Sequence, residues 1–308
     1  MLKSFQKGSK IGIIAPAFQP DREKLENGIR YLQSIGYSII RGESLDAKYG
    51  YLAGTDQLRI KDIHQMYSNP EISAIICARG GWGSMRLLDQ LDFELIRNNP
   101  KVLIGYSDIT TLQLAIWKQI KLPSISGPMV SVDMRKTLDP FTEDHFWGQI
   151  NNPASTYQYN YNAKITENWQ TGKASGTLLG GCLSMVVHLL GTPYSPDYTG
   201  SILFIEDIGE EAYRVDRYLA QLKQAGIFNK INGLIIGFFI EPENPGLQKN
   251  NFSVKEVFKQ YFSKGGYPII YNFPYGHGDY KFSMPIGAHA SVNTEENMIK
   301  LSNIFIQK

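Results

Sequence analysis

Residues 101–117 read KVLIGYSDITTLQLAIW. The short apolar run Val102, Leu103 and Ile104 stops at Gly105-Tyr106-Ser107-Asp108, after which Ile109, Leu112 and Ile116 recur at helical spacing. The run predicts a strand buried on both faces, and the spacing predicts a helix that starts at once. Ser107 therefore falls on a strand-to-helix turn, where its hydroxyl is exposed. Such a turn suits a nucleophile, because a helix N-terminus presents unpaired N–H groups and partial positive charge where an oxyanion would form. The pattern is similar to the G-x-S-x-G nucleophile elbow, with Ile109 in place of the second glycine. A plainer alternative makes Ser107 only a cap of the following helix.

The same alternation extends outward from this stretch. Residues 11–15 read as a strand ending at Pro16, residues 22–35 as a helix with Leu25, Ile29 and Leu32 on one face, and residues 37–40 as a returning strand. Residues 58–66 are helical in pattern, and the continuous apolar strand 72–77 runs into Ala78-Arg79-Gly80-Gly81-Trp82-Gly83, with a helix over 84–91 directly after it. A short strand at 124–126 completes five alternating units. That pattern predicts an open, doubly wound parallel sheet with its ligand crevice at the carboxyl ends of the strands.

Between residues 139 and 176 the chain is rich in Asn, Thr and Tyr and lacks helical periodicity, which predicts a crossover between domains. Beyond it, helices over 183–190, 211–225 and 254–262 alternate with strands over 201–205 and 233–239, and the last stretch breaks into short β pieces. The expected organisation is an N-terminal α/β domain over 1–138, an inter-domain crossover over 139–175 and a smaller C-terminal α/β domain, rich in β structure, over 176–308.

Composition narrows the classes. At 308 residues the chain exceeds the usual single-domain size, and 43% hydrophobic with 19% charged residues fits a globular protein. Net charge is +2, with basic residues scattered, so no nucleic-acid partner is implied. Cys77 and Cys182 lie far apart in apolar surroundings without metal-ligand spacing, as reduced core thiols of a cytoplasmic protein would. The apolar run after the first basic residues is too short for a signal peptide, and no run approaches the ~20 residues of a membrane span.

Three places put reactive or glycine-rich residues just past a buried strand: the loop 79–83, Ser107-Asp108, and Glu206-Asp207. A fourth, Tyr275-Gly276-His277-Gly278-Asp279, sets a histidine between glycines. Strand ends of an open α/β sheet converge on ligands, so these four can form one Ser, Glu, His constellation. The glycine loop lacks both the G-x-G-x-x-G and P-loop lysine patterns, which argues against a phosphate cradle. Among the other histidines, His64 sits in a charged helix, His145 in the polar crossover, His188 in an apolar helix and His289 in the terminal β region, leaving His277 the better base on context. Cys77, inside an apolar strand, reads as core.

The chain resembles the LD-carboxypeptidases (muramoyltetrapeptide carboxypeptidases), a family that includes the microcin-immunity peptidases. The resemblance rests on Ile11-Gly12-Ile13-Ile14-Ala15-Pro16-Ala17, Ala78-Arg79-Gly80-Gly81-Trp82-Gly83-Ser84 and Gly105-Tyr106-Ser107-Asp108-Ile109-Thr110. It continues in Leu179-Gly180-Gly181-Cys182-Leu183, Leu203-Phe204-Ile205-Glu206-Asp207, Tyr213-Arg214-Val215-Asp216-Arg217, and Gly276-His277 followed by Met284-Pro285-Ile286-Gly287. It implies a flavodoxin-like N-terminal domain, a cytoplasmic homodimer, and a serine peptidase with Ser107 as nucleophile, His277 as base and Glu206 as orienting acid. The implied reaction releases terminal D-alanine from a murein tetrapeptide in peptidoglycan recycling, with a small peptide as the only partner besides a second copy and with no cofactor or metal. Backbone N–H groups of Gly81 and Asp108 would then hold the oxyanion, Arg79 would meet the terminal carboxylate, and Trp82, where tyrosine is common, would touch substrate. Two alternatives are a microcin-immunity-type peptidase acting on aminoacyl or peptidyl nucleotides and a non-catalytic two-lobe binding protein.

Overall fold

A computed structural model describes residues 2–152, 154–242, 252–262 and 266–306. The first sheet runs in the order Ser38–Arg41, Lys10–Ile14, Ile72–Cys77, Val102–Ile104, Ser124–Ser126 and Met284–Ile286. Numbered along the chain, its five parallel strands follow the order 2-1-3-4-5 of a flavodoxin-like sheet. Period-two alternation divides each strand between two apolar layers: Ile75, Cys77 and Leu103 pack on one side, and Ala74, Ile76 and Ile104 on the other. The first of these layers continues without a break into the second sheet, through Leu203, Ile235 and Ile270.

That second sheet has eight strands, ordered Thr156–Asn160, Met298–Ser302, His289–Asn293, Lys173–Cys182, Ile202–Ile208, Gly233–Ile240, Ile269–Tyr271 and Glu167–Gln170. Its four central members from Lys173–Cys182 to Ile269–Tyr271 are parallel. Helices Leu183–Leu189, Ala212–Gln224 and Val254–Phe262 lie between them in the chain, so βα units build this half too.

Three local outcomes differ from the sequence expectations. Residues 139–175, read as lacking helical periodicity, contain helix Pro140–Asn151, the strands Thr156–Asn160 and Glu167–Gln170 of the second sheet and the start of Lys173–Cys182. Asp139 starts the helix by accepting from Phe141 N–H at 2.9 Å, with Pro140 in the first turn, where its missing N–H costs nothing. The strand alternates half-buried Tyr157 and Tyr159 with exposed polar residues, and the two rings pack on Phe282, Tyr159 with centroids 4.9 Å apart. The helix expected over 84–91 is the 3-10 segment Ser84–Gln90. Finally, Met284–Ile286 leaves the C-terminal half to pair antiparallel with Ser124–Ser126 at the edge of the first sheet. Among the described residues no helix is long and apolar enough to cross a membrane.

Candidate active site

Strand Val102–Ile104 ends at Gly105, and the turn that follows puts Ser107 at φ +64°, the left-handed region that a residue with a Cβ enters at a cost of roughly 1–3 kcal/mol. Strain of this kind lifts a side chain clear of the sheet at a strand-to-helix corner. A 3-10 turn, Ser107–Ile109, then leads into helix Thr110–Ile120. The glycine loop lies directly against this corner. A Cβ on Gly80 would sit 2.9 Å from Ser107 Cβ and 3.3 Å from the Asp108 nitrogen, so only glycine permits the approach. Asp108 stitches the two together: its Oδ2 accepts from Ser84 N–H at 2.8 Å, and Ser84 Oγ–H donates to the Asp108 carbonyl at 2.6 Å. Burial lifts the Asp108 carboxyl above its usual range, against the pull of these hydrogen bonds.

Glu206 comes from the second sheet. It sits where the pairing of Ile202–Ile208 with Gly233–Ile240 slips by one residue, a bulge that re-aims side chains. Fully buried, it reaches the imidazole of His277, with Oε2 2.7 Å from Nδ1. A carboxylate accepts only, so Nδ1 carries the hydrogen and Nε2 is left to act as base. Gly276, at φ +113°, makes the contact possible, since a Cβ there would lie 2.5 Å from Glu206 Oε2. Burial pushes the His277 imidazole down, but the Glu206 charge and hydrogen bond outweigh it and hold the group above the ordinary histidine value. The neighbouring Asp207 turns the opposite way and accepts from Ser184 N–H at 2.8 Å and from the Cys182 thiol at 3.3 Å. Burial and the adjacent Glu206 charge push Asp207 up to about 6.

Strand ends of both sheets thus border one cavity of about 410 Å³, lined by Arg79, Gly81, Ser107, Asp108, Asp207 and His277 among others. Glu206 stands behind His277, out of the lining. Ser107 and the imidazole share the cavity without a hydrogen bond between them. Arg79 is half-buried, its guanidinium 5.5 Å over the Phe18 ring, and its buried Nε has no partner; no carboxylate among the described residues pairs with it. Trp82 is not in the lining; its ring lies 6.3 Å from that of His188. Cys77 is fully buried in the core, where burial pushes its thiol up. A larger groove of about 840 Å³, bordered by Lys173, Asn232, Tyr267 and Asn293, holds none of the expected site residues. Sequence reasoning named Gly80 and Tyr106 only as members of their motifs, because what sets them apart is contact across the fold.

Comparison with known proteins fits this geometry. Residues 11–127 match the LD-carboxypeptidase N-terminal domain and residues 175–292 the LD-carboxypeptidase C-terminal domain. A Bacillus subtilis protein named probable murein peptide carboxypeptidase is 38% identical over 295 residues, covering 96% of this chain and 92% of its own. The crystal structure of muramoyltetrapeptide carboxypeptidase from Oxalobacter formigenes superimposes with a TM-score of 0.84 at 32% identity, covering 95% of this chain and 98% of that one. MccF in complex with glutamyl sulfamoyl guanosine shares the fold, with a TM-score of 0.90 at 22% identity and 98% of both chains covered. With two domain matches across most of its length and a relative this similar over nearly all of it, the chain belongs to the LD-carboxypeptidase family and is a hydrolase of the serine-peptidase type.

Proposed function

We propose that this enzyme hydrolyses the bond between the L-centre of the diamino acid and the terminal D-alanine of a murein tetrapeptide, with Ser107 as nucleophile, His277 as base and Glu206 as orienting acid. The observation that carries the reading is the 2.7 Å contact of Glu206 with His277 beside a cavity that Ser107, half-buried, lines in a strained backbone conformation. Support for the substrate comes from the relatives, a probable murein peptide carboxypeptidase and a muramoyltetrapeptide carboxypeptidase. The family likeness alone supports a cytoplasmic homodimer working in peptidoglycan recycling.

Ser107 Oγ attacks the amide carbon as His277 Nε2 takes its proton, and Glu206 stabilises the imidazolium. The oxyanion is held by backbone N–H groups of Asp108 and Gly81, each such donor contributing roughly 3 kcal/mol to transition-state stabilisation. Imidazolium then protonates the leaving amine, the C–N bond breaks, and D-alanine departs from an acyl-serine. Water, losing its proton to His277, attacks the ester and frees the tripeptide and Ser107. Arg79, a cation on the cavity wall with no internal carboxylate, receives the free carboxylate of D-alanine. The missing Ser107–His277 hydrogen bond fits a free enzyme whose pair tightens on substrate.

The test is incubation of purified enzyme with murein tetrapeptide, following D-alanine and tripeptide by mass spectrometry. Ser107→Ala should keep its melting temperature and lose about 10⁴-fold or more in kcat. Near-normal turnover in that variant would remove Ser107 from the mechanism. Cleavage of an aminoacyl sulfamoyl nucleotide but not of the tetrapeptide would replace the substrate and keep the triad.

A further inference from the structure

A buried charged pair beside the site has no part in the steps above. Lys281, four residues past His277, is 4% exposed, and lysine is rarely buried to that degree unless paired. Its ammonium forms an ion pair with Asp133 and sits over the Tyr106 ring, 4.8 Å from the centroid. Lys281 Nζ also lies 3.5 Å from Tyr106 Oη, which in turn donates to Asp133 Oδ1 at 3.4 Å. Together the distances place the ammonium toward the hydroxyl end of the ring, so Tyr106 is held between Lys281 and Asp133 at its hydroxyl. Tyr106 is bonded to Ser107 through the backbone, and its ring meets the His277 imidazole at 4.9 Å and 63°. One side chain therefore touches the base and is covalently next to the nucleophile.

The surroundings of this trio are rigid. Asp133 Oδ2 accepts from Met129 N–H at 2.8 Å, Lys281 N–H donates to Thr142 Oγ1 at 2.8 Å, and the Tyr275 hydroxyl meets Ser126 Oγ at 2.7 Å. The His277 loop is thus fastened at one end to strand Ser124–Ser126 of the first sheet and at the other to helix Pro140–Asn151, although Glu206, the partner of the base, belongs to the second sheet. We propose that Lys281, paired with Asp133, is a positioning residue for the base: it clamps the Tyr106 ring and through it holds the His277 imidazole in line with Ser107. A stabilising role alone would be served as well by apolar side chains of similar size, since desolvating a buried ion pair cancels much of its attraction. Holding the Tyr106 hydroxyl between an ammonium and a carboxylate requires the charged pair.

The charges acting on the imidazole are Glu206, in contact with it, and Asp207, at longer range, both from strand Ile202–Ile208, and Lys281 from its own loop, with the neutral Tyr106 from the nucleophile turn. Lys281 opposes the imidazolium, and Asp133 offsets that opposition. Removing one member of the pair should therefore displace the His277 titration in a direction set by which member is lost. The inference rests on the proposed triad. Its readouts are kcat and KM for D-alanine release, and the His277 titration followed by NMR in a Ser107→Ala background, which does not depend on the bond cleaved. Lys281→Met should lower kcat about 10-fold with KM changed less than about 2-fold, and raise the imidazole pKa. Asp133→Asn should lower that pKa, and Lys281→Arg should recover most of the lost kcat. If Lys281→Met does not fold, the neutral double variant Lys281→Met/Asp133→Asn, with no charge left unpaired, replaces it and should show the same loss in kcat. Wild-type kcat in either folded variant, or a His277 titration indifferent to both single changes, overturns the inference. Full activity of Ser107→Ala overturns the triad instead.

Discussion

Gly80→Ala isolates the contact that brings the glycine loop to Ser107, the proposed nucleophile. Gly80 does not occupy the left-handed region, so its backbone accepts alanine and the effect is steric. The added methyl would sit 2.9 Å from Ser107 Cβ and 3.1 Å from its Oγ. Carbon atoms settle at about 3.5–4.0 Å, so loop and turn must part by roughly 0.6 Å. Neither yields freely: Asp108 and Ser84 tie them together, and Ser107 is already strained. A misplacement of about 1 Å costs about 100-fold, so a displacement of this size should lower kcat about 10-fold, or ~1.4 kcal/mol of transition-state stabilisation. Overpacking should also cost ~1–3 kcal/mol of fold stability. Steady-state D-alanine release gives kcat and KM, and thermal melting gives stability. A variant with unchanged kcat and a normal melting temperature would show that the loop yields without moving Ser107, and that its closeness does not set the nucleophile.

Two further outcomes follow from the site's charges. Glu206→Gln should lower kcat/KM by up to roughly 10⁴-fold and move the acid limb of its pH profile downward, because the burial that depresses His277 loses its main opponent and keeps only the weaker pull of Asp207 against it; a limb that stays in place refutes the assignment of Glu206. The same contact stabilises the fold below the ordinary histidine pKa of about 6.5, and that contribution is lost as pH rises through the higher folded-state value, so denaturant titrations of Glu206→Gln should lack this decline. Arg79→Met should raise KM for the tetrapeptide about 10- to 100-fold, the loss of a charge-assisted hydrogen bond worth ~1.5–3 kcal/mol, while a substrate amidated at its C-terminus should not distinguish variant from wild type; equal KM for the tetrapeptide would show that Arg79 serves the structure.

The doubly wound half was legible because its strands are continuous apolar runs and its helices keep strict spacing, as in Ile72–Cys77 and Arg22–Ser34. That Ser107, Glu206 and His277 would come together was legible because each stands at a strand end or between glycines. Strand Thr156–Asn160 was obscured because its inward side chains are tyrosines, whose hydroxyls make the run look polar although the rings pack on Phe282. Helix Pro140–Asn151 did carry its start signal, Asp139-Pro140, ahead of that polar run. Nothing local in Met284-Pro285-Ile286 says which sheet edge it joins, since that partner lies more than 150 residues earlier in the chain. Lys281 likewise reads as a loop lysine until Asp133 and Tyr106 are brought to it.

That edge strand also bears on how the protein is made. Until Met284–Ile286 has been synthesised, Ser124–Ser126 is an open edge with unpaired backbone groups, the kind of surface that invites strand-to-strand aggregation. The half of the chain that contains Ser107 leaves the ribosome first, yet the cover for its sheet is made more than 150 residues later, in the same segment that carries His277. Closing the sheet and delivering His277 thus fall to one segment, so a nascent or truncated chain lacking it has Ser107 without the proposed base and a sheet without its border.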